Sequence, residues 1–91
     1  MDDRVRVWLV ERTYSDDEQN VIILTYATPD GEHEFRKERA LTTFSGGDRP
    51  TTASVTVDPG NLGSVDDPET REQYAAEVER LRDRHDPDDP V

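Results

Sequence analysis

Val21-Ile22-Ile23-Leu24-Thr25-Tyr26-Ala27-Thr28-Pro29-Asp30-Gly31 decides the fold class of this chain. Its first part, Val21 to Ala27, is rich in β-branched and aromatic residues and apolar on both faces, as a strand inside a covered sheet is. Its last part is a turn. Proline presets φ at the second turn position, and glycine takes a place that needs φ > 0. The chain before it, Arg4 to Tyr14, alternates with a period of two. Val5, Val7 and Leu9 point one way, and Arg4, Arg6, Trp8, Val10 and Arg12 point the other. Ser15 to Asn20 is polar and turns the chain between these strands. After the turn, Glu32 to Arg39 returns as a third strand anchored by Phe35. The three segments predict an antiparallel meander.

Further along, Thr51 to Val57 is β-branched and alternating, which predicts a fourth strand stopped by Asp58-Pro59-Gly60-Asn61. Ala40 to Phe44 either extends the third strand or makes a short helical turn, and residues 45–50 form a loop. The last element is a helix. Asp67 stands at the N-cap with Pro68 at the first helical position. Arg80, Arg82, Arg84 and His85 crowd the last turn, where the helix dipole favours cations. Tyr74, Val78, Leu81 and His85 recur at helical spacing and form the face that packs. The sequence thus predicts an α+β domain over residues 1–85: a three- to four-stranded antiparallel sheet with one C-terminal helix packed on one face. Residues 86–91, Asp-Pro-Asp-Asp-Pro-Val, read as a disordered acidic tail.

Charge bounds the setting. The chain has 91 residues, 31% of them hydrophobic and 36% charged, with a net charge of −11. That balance lies near the border of intrinsic disorder. The kind of charge separates the two cases, because ten arginines accompany a single lysine, Lys37. Multimolar salt shortens the Debye length to about 3 Å and screens carboxylate repulsion. Arginine is less strongly hydrated than lysine and still pairs with carboxylates. An acidic surface nearly free of lysine therefore predicts a soluble, cytoplasmic protein of a high-salt cell. Residues 45–91 hold five basic and twelve acidic groups, against six and ten in residues 1–44, so the C-terminal half carries most of the excess.

Few chemistries remain open. With no cysteine, disulfides, thiolate catalysis and cysteine-based metal sites are excluded. No apolar run approaches the length needed to cross a bilayer, and Met-Asp-Asp-Arg does not open a signal peptide. His33 and His85 are far apart and lack the ligand number of a metal site. His33 reads as an outward strand residue and His85 as a helix-end cation. Asp16-Asp17-Glu18 and Asp88-Asp89 do not match the spacing of a calcium loop. Ser45-Gly46-Gly47-Asp48 lacks the lysine and the following helix of a phosphate loop. Nothing assembles a nucleophile and a base, and no cofactor is implied. The sequence leans away from an enzyme.

The sheet's second face is the feature left to explain. If Val5, Val7 and Leu9 lie under the helix, Trp8 and Val10 face away from it beside Arg6, with Phe35, Arg36 and Lys37 on the third strand. One helix covers one face of a small sheet, so something else must cover the other. The fourth strand and the 40–50 loop can fold over it. A second copy or another protein can bury it, with tryptophan and arginine as anchors. An aromatic and basic face can also stack and hold nucleic acid or a nucleotide, although salt weakens phosphate contacts. The predicted partner-binding residues are Trp8, Val10, Arg6, Phe35, Arg36 and Lys37.

Val7-Trp8-Leu9-Val10-Glu11-Arg12-Thr13-Tyr14, Tyr26-Ala27-Thr28-Pro29-Asp30-Gly31, Phe35 to Leu41, and Val65 to Ala75 occur here together. With them the chain resembles a family of small acidic haloarchaeal proteins of unknown function. The resemblance implies a source and a cytosolic location and carries no activity. The leading expectation is a non-catalytic protein-interaction module, homodimeric or bound to another protein. The alternative is a nucleic-acid or nucleotide binder.

Overall fold

A computed structural model describes residues 3–15, 21–40 and 51–91. The expectations for Asp16 to Asn20, for Leu41 to Phe44 and for the 45–50 loop lie outside these residues. Strands β1 (Val5–Ser15), β2 (Val21–Ala27) and β3 (His33–Ala40) form the expected meander, and β4 (Ser54–Val57) follows. A 3-10 turn over Pro59–Asn61 leads to a short strand, β5 (Gly63–Ser64), and then to helix α1 (Pro68–Arg84). The sheet is antiparallel and five-stranded in the order β4-β1-β2-β3-β5. The expectation of three to four strands missed β5, whose two residues carry no hydrophobic pattern. Backbone pairing with His33 and Glu34 alone makes it a strand.

A β-bulge corrects the simple alternation of β1. Leu9 pairs with Tyr26 and Glu11 with Thr25, so Val10 is the extra residue. Beyond it the faces exchange, and Arg12 and Tyr14 stand with Val7 and Leu9 rather than with Trp8. One face of the sheet then carries Val7, Leu9, Ile22, Leu24, Tyr26 and Val57 as a buried cluster, with Phe35, Val55 and Leu62 packed against it. Tyr26 and Phe35 meet across the β2–β3 pair with ring centres 6.0 Å apart.

The opposite face holds Trp8, Ala27 and Ala53 beneath Val78 of α1, flanked by Val10, Tyr74 and Leu81. The helix therefore covers the Trp8 face, not the Val7 and Leu9 face supposed from the sequence, where the choice of face is open. Ala27 and Ala53, both fully buried, are small enough for the indole to lie between strand and helix. Alternation could not choose between the faces because β1 and β2 are apolar on both.

The helix begins as its sequence predicts. Asp67 has extended backbone, and its carboxylate accepts from the Thr70 amide at 3.2 Å and the Thr70 hydroxyl at 2.8 Å. Asp67→Ala should lower the unfolding free energy by about 1 kcal/mol, read as a reduced urea midpoint with an unchanged slope. On the wet side Glu77 and Arg80 pair at 3.8 Å.

Residues 86–91 differ from the tail read from composition. Ser54 and Ala53 donate backbone hydrogen bonds to Pro87 and Asp89, and Val91 donates to Thr51. Thr52 and Pro90 form a β-bridge. A row of backbone bonds, which the acidic and proline-rich composition does not announce, ties this segment down.

Candidate interaction surface

The six residues singled out from the sequence do not form one surface. Trp8 is buried, 6% exposed, and takes no part in any outer face. Val10 sits in the bulge, half-buried against the same cluster. Arg6 is exposed beside β4, where it donates to the Ser54 hydroxyl at 3.2 Å. Ser54 in turn donates to the Val7 carbonyl at 2.6 Å, which fixes β4 to β1 beyond their ladder. Phe35 and Lys37 belong to the face opposite Trp8, because they pair with Tyr26 and Leu24. Arg36 pairs with Thr25 and lies on the helix side. The structure therefore brings Phe35, Arg36 and Lys37 together along one strand and leaves Trp8 out of that group.

Among the described residues that strand has an open outer edge. β5 covers β3 only at His33 and Glu34. Among the described residues nothing pairs with the outer side of residues 35–40. The His33 carbonyl is turned inward, accepting from the Thr28 amide at 3.0 Å, whereas the Glu32 carbonyl is turned outward to the Val65 amide. Alternation then points the peptide groups of Arg36 and Glu38 outward. Lys37 is exposed, with no carboxylate within ion-pair distance among the described residues, while Arg36 pairs with Glu34 at 3.8 Å.

At the lower end of β3 the β2–β3 turn is locked by side chains. The Thr28 hydroxyl donates to the Asp30 carboxylate at 2.6 Å, the Glu32 amide donates to it at 2.9 Å, and the His33 amide donates to the Thr28 oxygen at 3.2 Å. The Thr28 hydroxyl above all, and then the Glu32 amide, hold the Asp30 carboxyl below the usual aspartate range against a smaller opposing effect of burial. A depressed folded-state value means that this group adds stability above the ordinary carboxyl range and loses it as pH falls through the depressed value. The stability advantage of the wild type over Asp30→Asn should shrink between pH 6 and pH 3, read from denaturant midpoints. An advantage independent of pH would show that the turn does not depend on the charge.

Tyr74 lies on the helix side of the sheet. Burial first, and then the Glu34 and Glu11 carboxylates, push its phenol up, and Arg36 opposes them. A shallow cavity of about 620 Å³ flanks the helix on another side, lined by Pro29, Ala75, Ala76, Glu79, Arg82 and Asp83 with Val78 at its floor. No group of three metal-ligating side chains occurs among the described residues. His33 is exposed. His85 caps the helix, donating its amide to Leu81 at 2.8 Å, with its ring 3.7 Å from Asp89. No helix of the described residues is long and apolar enough to cross a membrane.

No curated protein and no solved structure matches the chain. The model of a family of unknown function, DUF7967, matches residues 1–91. With that match spanning every residue, the chain belongs to the DUF7967 family of unknown function.

Proposed function

We propose that this protein is a non-catalytic interaction module that binds an extended segment of another protein along the open edge of β3. The observation that carries this reading is the outer side of Phe35 to Arg39, whose alternate peptide groups lack a strand partner among the described residues. Such an edge is a template for strand addition, in which main-chain hydrogen bonds supply affinity and alternate side chains supply selectivity. Phe35 offers an apolar contact on one face, and Lys37, next along that face and without an ion pair among the described residues, favours a partner carboxylate. Arg36 lies on the other face.

Pairing with a second copy is disfavoured by geometry and charge. A two-fold antiparallel register centred at or before Lys37 runs the partner strand onto β5. One centred on Glu38 sets two glutamates against each other, which destabilises a sheet. Charged residues along an edge blunt indiscriminate pairing and leave room for a complementary strand. The rival nucleic-acid reading loses its stacking platform, because Trp8 lies under α1.

Glu38→Pro tests the proposal. It removes an outward N–H and no bond of the β2–β3 ladder, so the fold should hold. Tagged wild-type and variant chains would be purified from the native host in molar KCl, and the co-eluting proteins compared. A stoichiometric partner kept by the wild type and lost by both Glu38→Pro and Lys37→Glu supports the proposal. Either no partner, or one indifferent to both changes, sinks it.

The working environment we propose is a cytosol of molar salt. Loss of screening should then destabilise the acidic C-terminal half. The thermal midpoint is expected to fall as KCl is reduced from molar to millimolar. Circular dichroism and a midpoint unchanged across that range would remove the argument.

A further inference from the structure

The two edges of the sheet are managed differently. The edge beside β4 is closed by the chain itself, through residues 87–91, and the closure is built almost entirely from backbone. Ser54 donates to Pro87 at 3.1 Å, Ala53 to Asp89 at 2.8 Å, and Val91 to Thr51 at 2.9 Å. At the far end Arg12 donates to the Val91 carbonyl oxygen at 3.0 Å. Among the described residues the pins at the near end are in one small turn. There the Asp89 amide donates to Asp86, the Asp86 amide donates to the Asp89 carboxylate at 2.9 Å, and the His85 ring lies 3.7 Å from that carboxylate.

Among the described residues this closure has little apolar anchorage. Asp88 and Pro90 are exposed, Pro87 and Asp89 are half-buried, and Val91 is 36% exposed. The strands it covers belong to the core: Ala53 is fully buried and Ser54 is 3% exposed. A segment held by backbone bonds with little buried apolar surface opens at far lower cost than the elements beneath it. When it opens, the outward N–H groups of Ala53 and Ser54 and the guanidinium of Arg12 are left facing water in a row. That row of donors receives a segment whose alternate carbonyls match it, as the strap's Pro87 and Asp89 carbonyls do.

We propose that residues 87–91 are a releasable strap, and that the edge formed by Thr51 to Ser54 with Arg12 binds a short partner-protein segment shaped like Asp-Pro-Asp-Asp-Pro-Val, a turn that offers alternate carbonyls, when the strap leaves. The occupant's chemistry follows from the segment already seated there. It is a turn over Asp86 to Asp89 that presents the Pro87 and Asp89 carbonyls to Ser54 and Ala53, followed by the Thr52–Pro90 bridge and by the Val91 carbonyl on the Arg12 cation. The site is on the opposite edge from β3, and its test involves no residue of β3, so either proposal can fail alone.

The test uses the full chain and a labelled synthetic peptide of residues 86–91. Asp89→Ala loosens the pinning turn and leaves every bond of the receiving edge intact. Its affinity for the peptide should exceed that of the wild type by about tenfold or more, and adding Arg12→Ala should abolish the gain. In the intact wild type, the amides of Ala53, Ser54 and Val91 should exchange with solvent at least about tenfold faster than the amides of β2. Exchange as slow as that of β2 means the strap does not release, and the proposal falls. It also falls if folded Asp89→Ala binds no peptide. If the variant dimerises and the dimer excludes the peptide, the occupant is a second copy, which overturns the assignment to a partner protein.

Discussion

Gly31→Ala is expected to lower the unfolding free energy by about 3 kcal/mol or more, a large share of the roughly 5–15 kcal/mol that holds a domain of this kind. Two independent penalties fall on the same atom. Gly31 has φ +74°, where a Cβ alone costs about 1–2 kcal/mol. A Cβ there would also stand 2.1 Å from the Arg71 carbonyl oxygen and 3.1 Å from the Ala75 amide nitrogen. Both obstacles are helix backbone, which cannot swing aside as a side chain can. The turn between β2 and β3 is in effect the seat of the first turns of α1, steadied by Arg71 donating to the Val65 carbonyl. Gly31→Asn separates the two penalties, since asparagine tolerates positive φ but still carries the Cβ. If the close approach dominates, asparagine is no better than alanine. Gly63→Ala, whose Cβ would meet nothing within 4 Å, is the control and should change stability by less than about 0.5 kcal/mol. The comparison is made by denaturant unfolding in molar KCl. A Gly31→Ala loss no larger than the control would mean that the helix moves away freely and that the turn does not position it.

The importance of that glycine was half legible in the sequence. Thr-Pro-Asp-Gly marks a turn with a positive φ, and the meander on either side follows from the period-two patterns of β1, β2 and β3. The helix bounds were readable because Asp67, Pro68 and the arginine-rich last turn are local signals. What could not be read is anything set between elements. The approach of Gly31 to Arg71 joins residues forty apart. The Val10 bulge is a mismatch between two strands, invisible in either alone. β5 is two residues, Gly63 and Ser64, made a strand by His33 and Glu34. The strap of residues 87–91 uses backbone donors that every sequence possesses. The grouping of the candidate residues was illegible for the same reason: Trp8, Phe35, Arg36 and Lys37 are near one another in pattern, yet strand register and the side taken by the helix place them on different faces.

The second large effect concerns the residue most misplaced by sequence reasoning. Trp8 is the sole tryptophan, and it lies with Ala27 and Ala53 beneath Val78. Trp8→Ala should cost about 3–5 kcal/mol, because it removes the largest side chain of that cluster and leaves a cavity that two alanines cannot fill. Trp8→Glu should do worse, since a carboxylate placed among Ala27, Ala53 and Val78 is desolvated and must either protonate or unfold its surroundings. Trp8→Phe keeps most of the apolar volume and should lose the least. This ranking is what separates a core residue from an interface anchor. At an outer interface, glutamate would disrupt assembly and leave the unfolding midpoint of the monomer untouched. At its observed position, glutamate lowers that midpoint most, whatever partner is present. The readout is circular dichroism in denaturant, since the variants lack the fluorophore. In the wild type, the emission of Trp8 should shift to longer wavelength only when the whole domain unfolds. A folded Trp8→Glu chain with a wild-type midpoint would return this face to the surface and, with it, the case for a partner seated there.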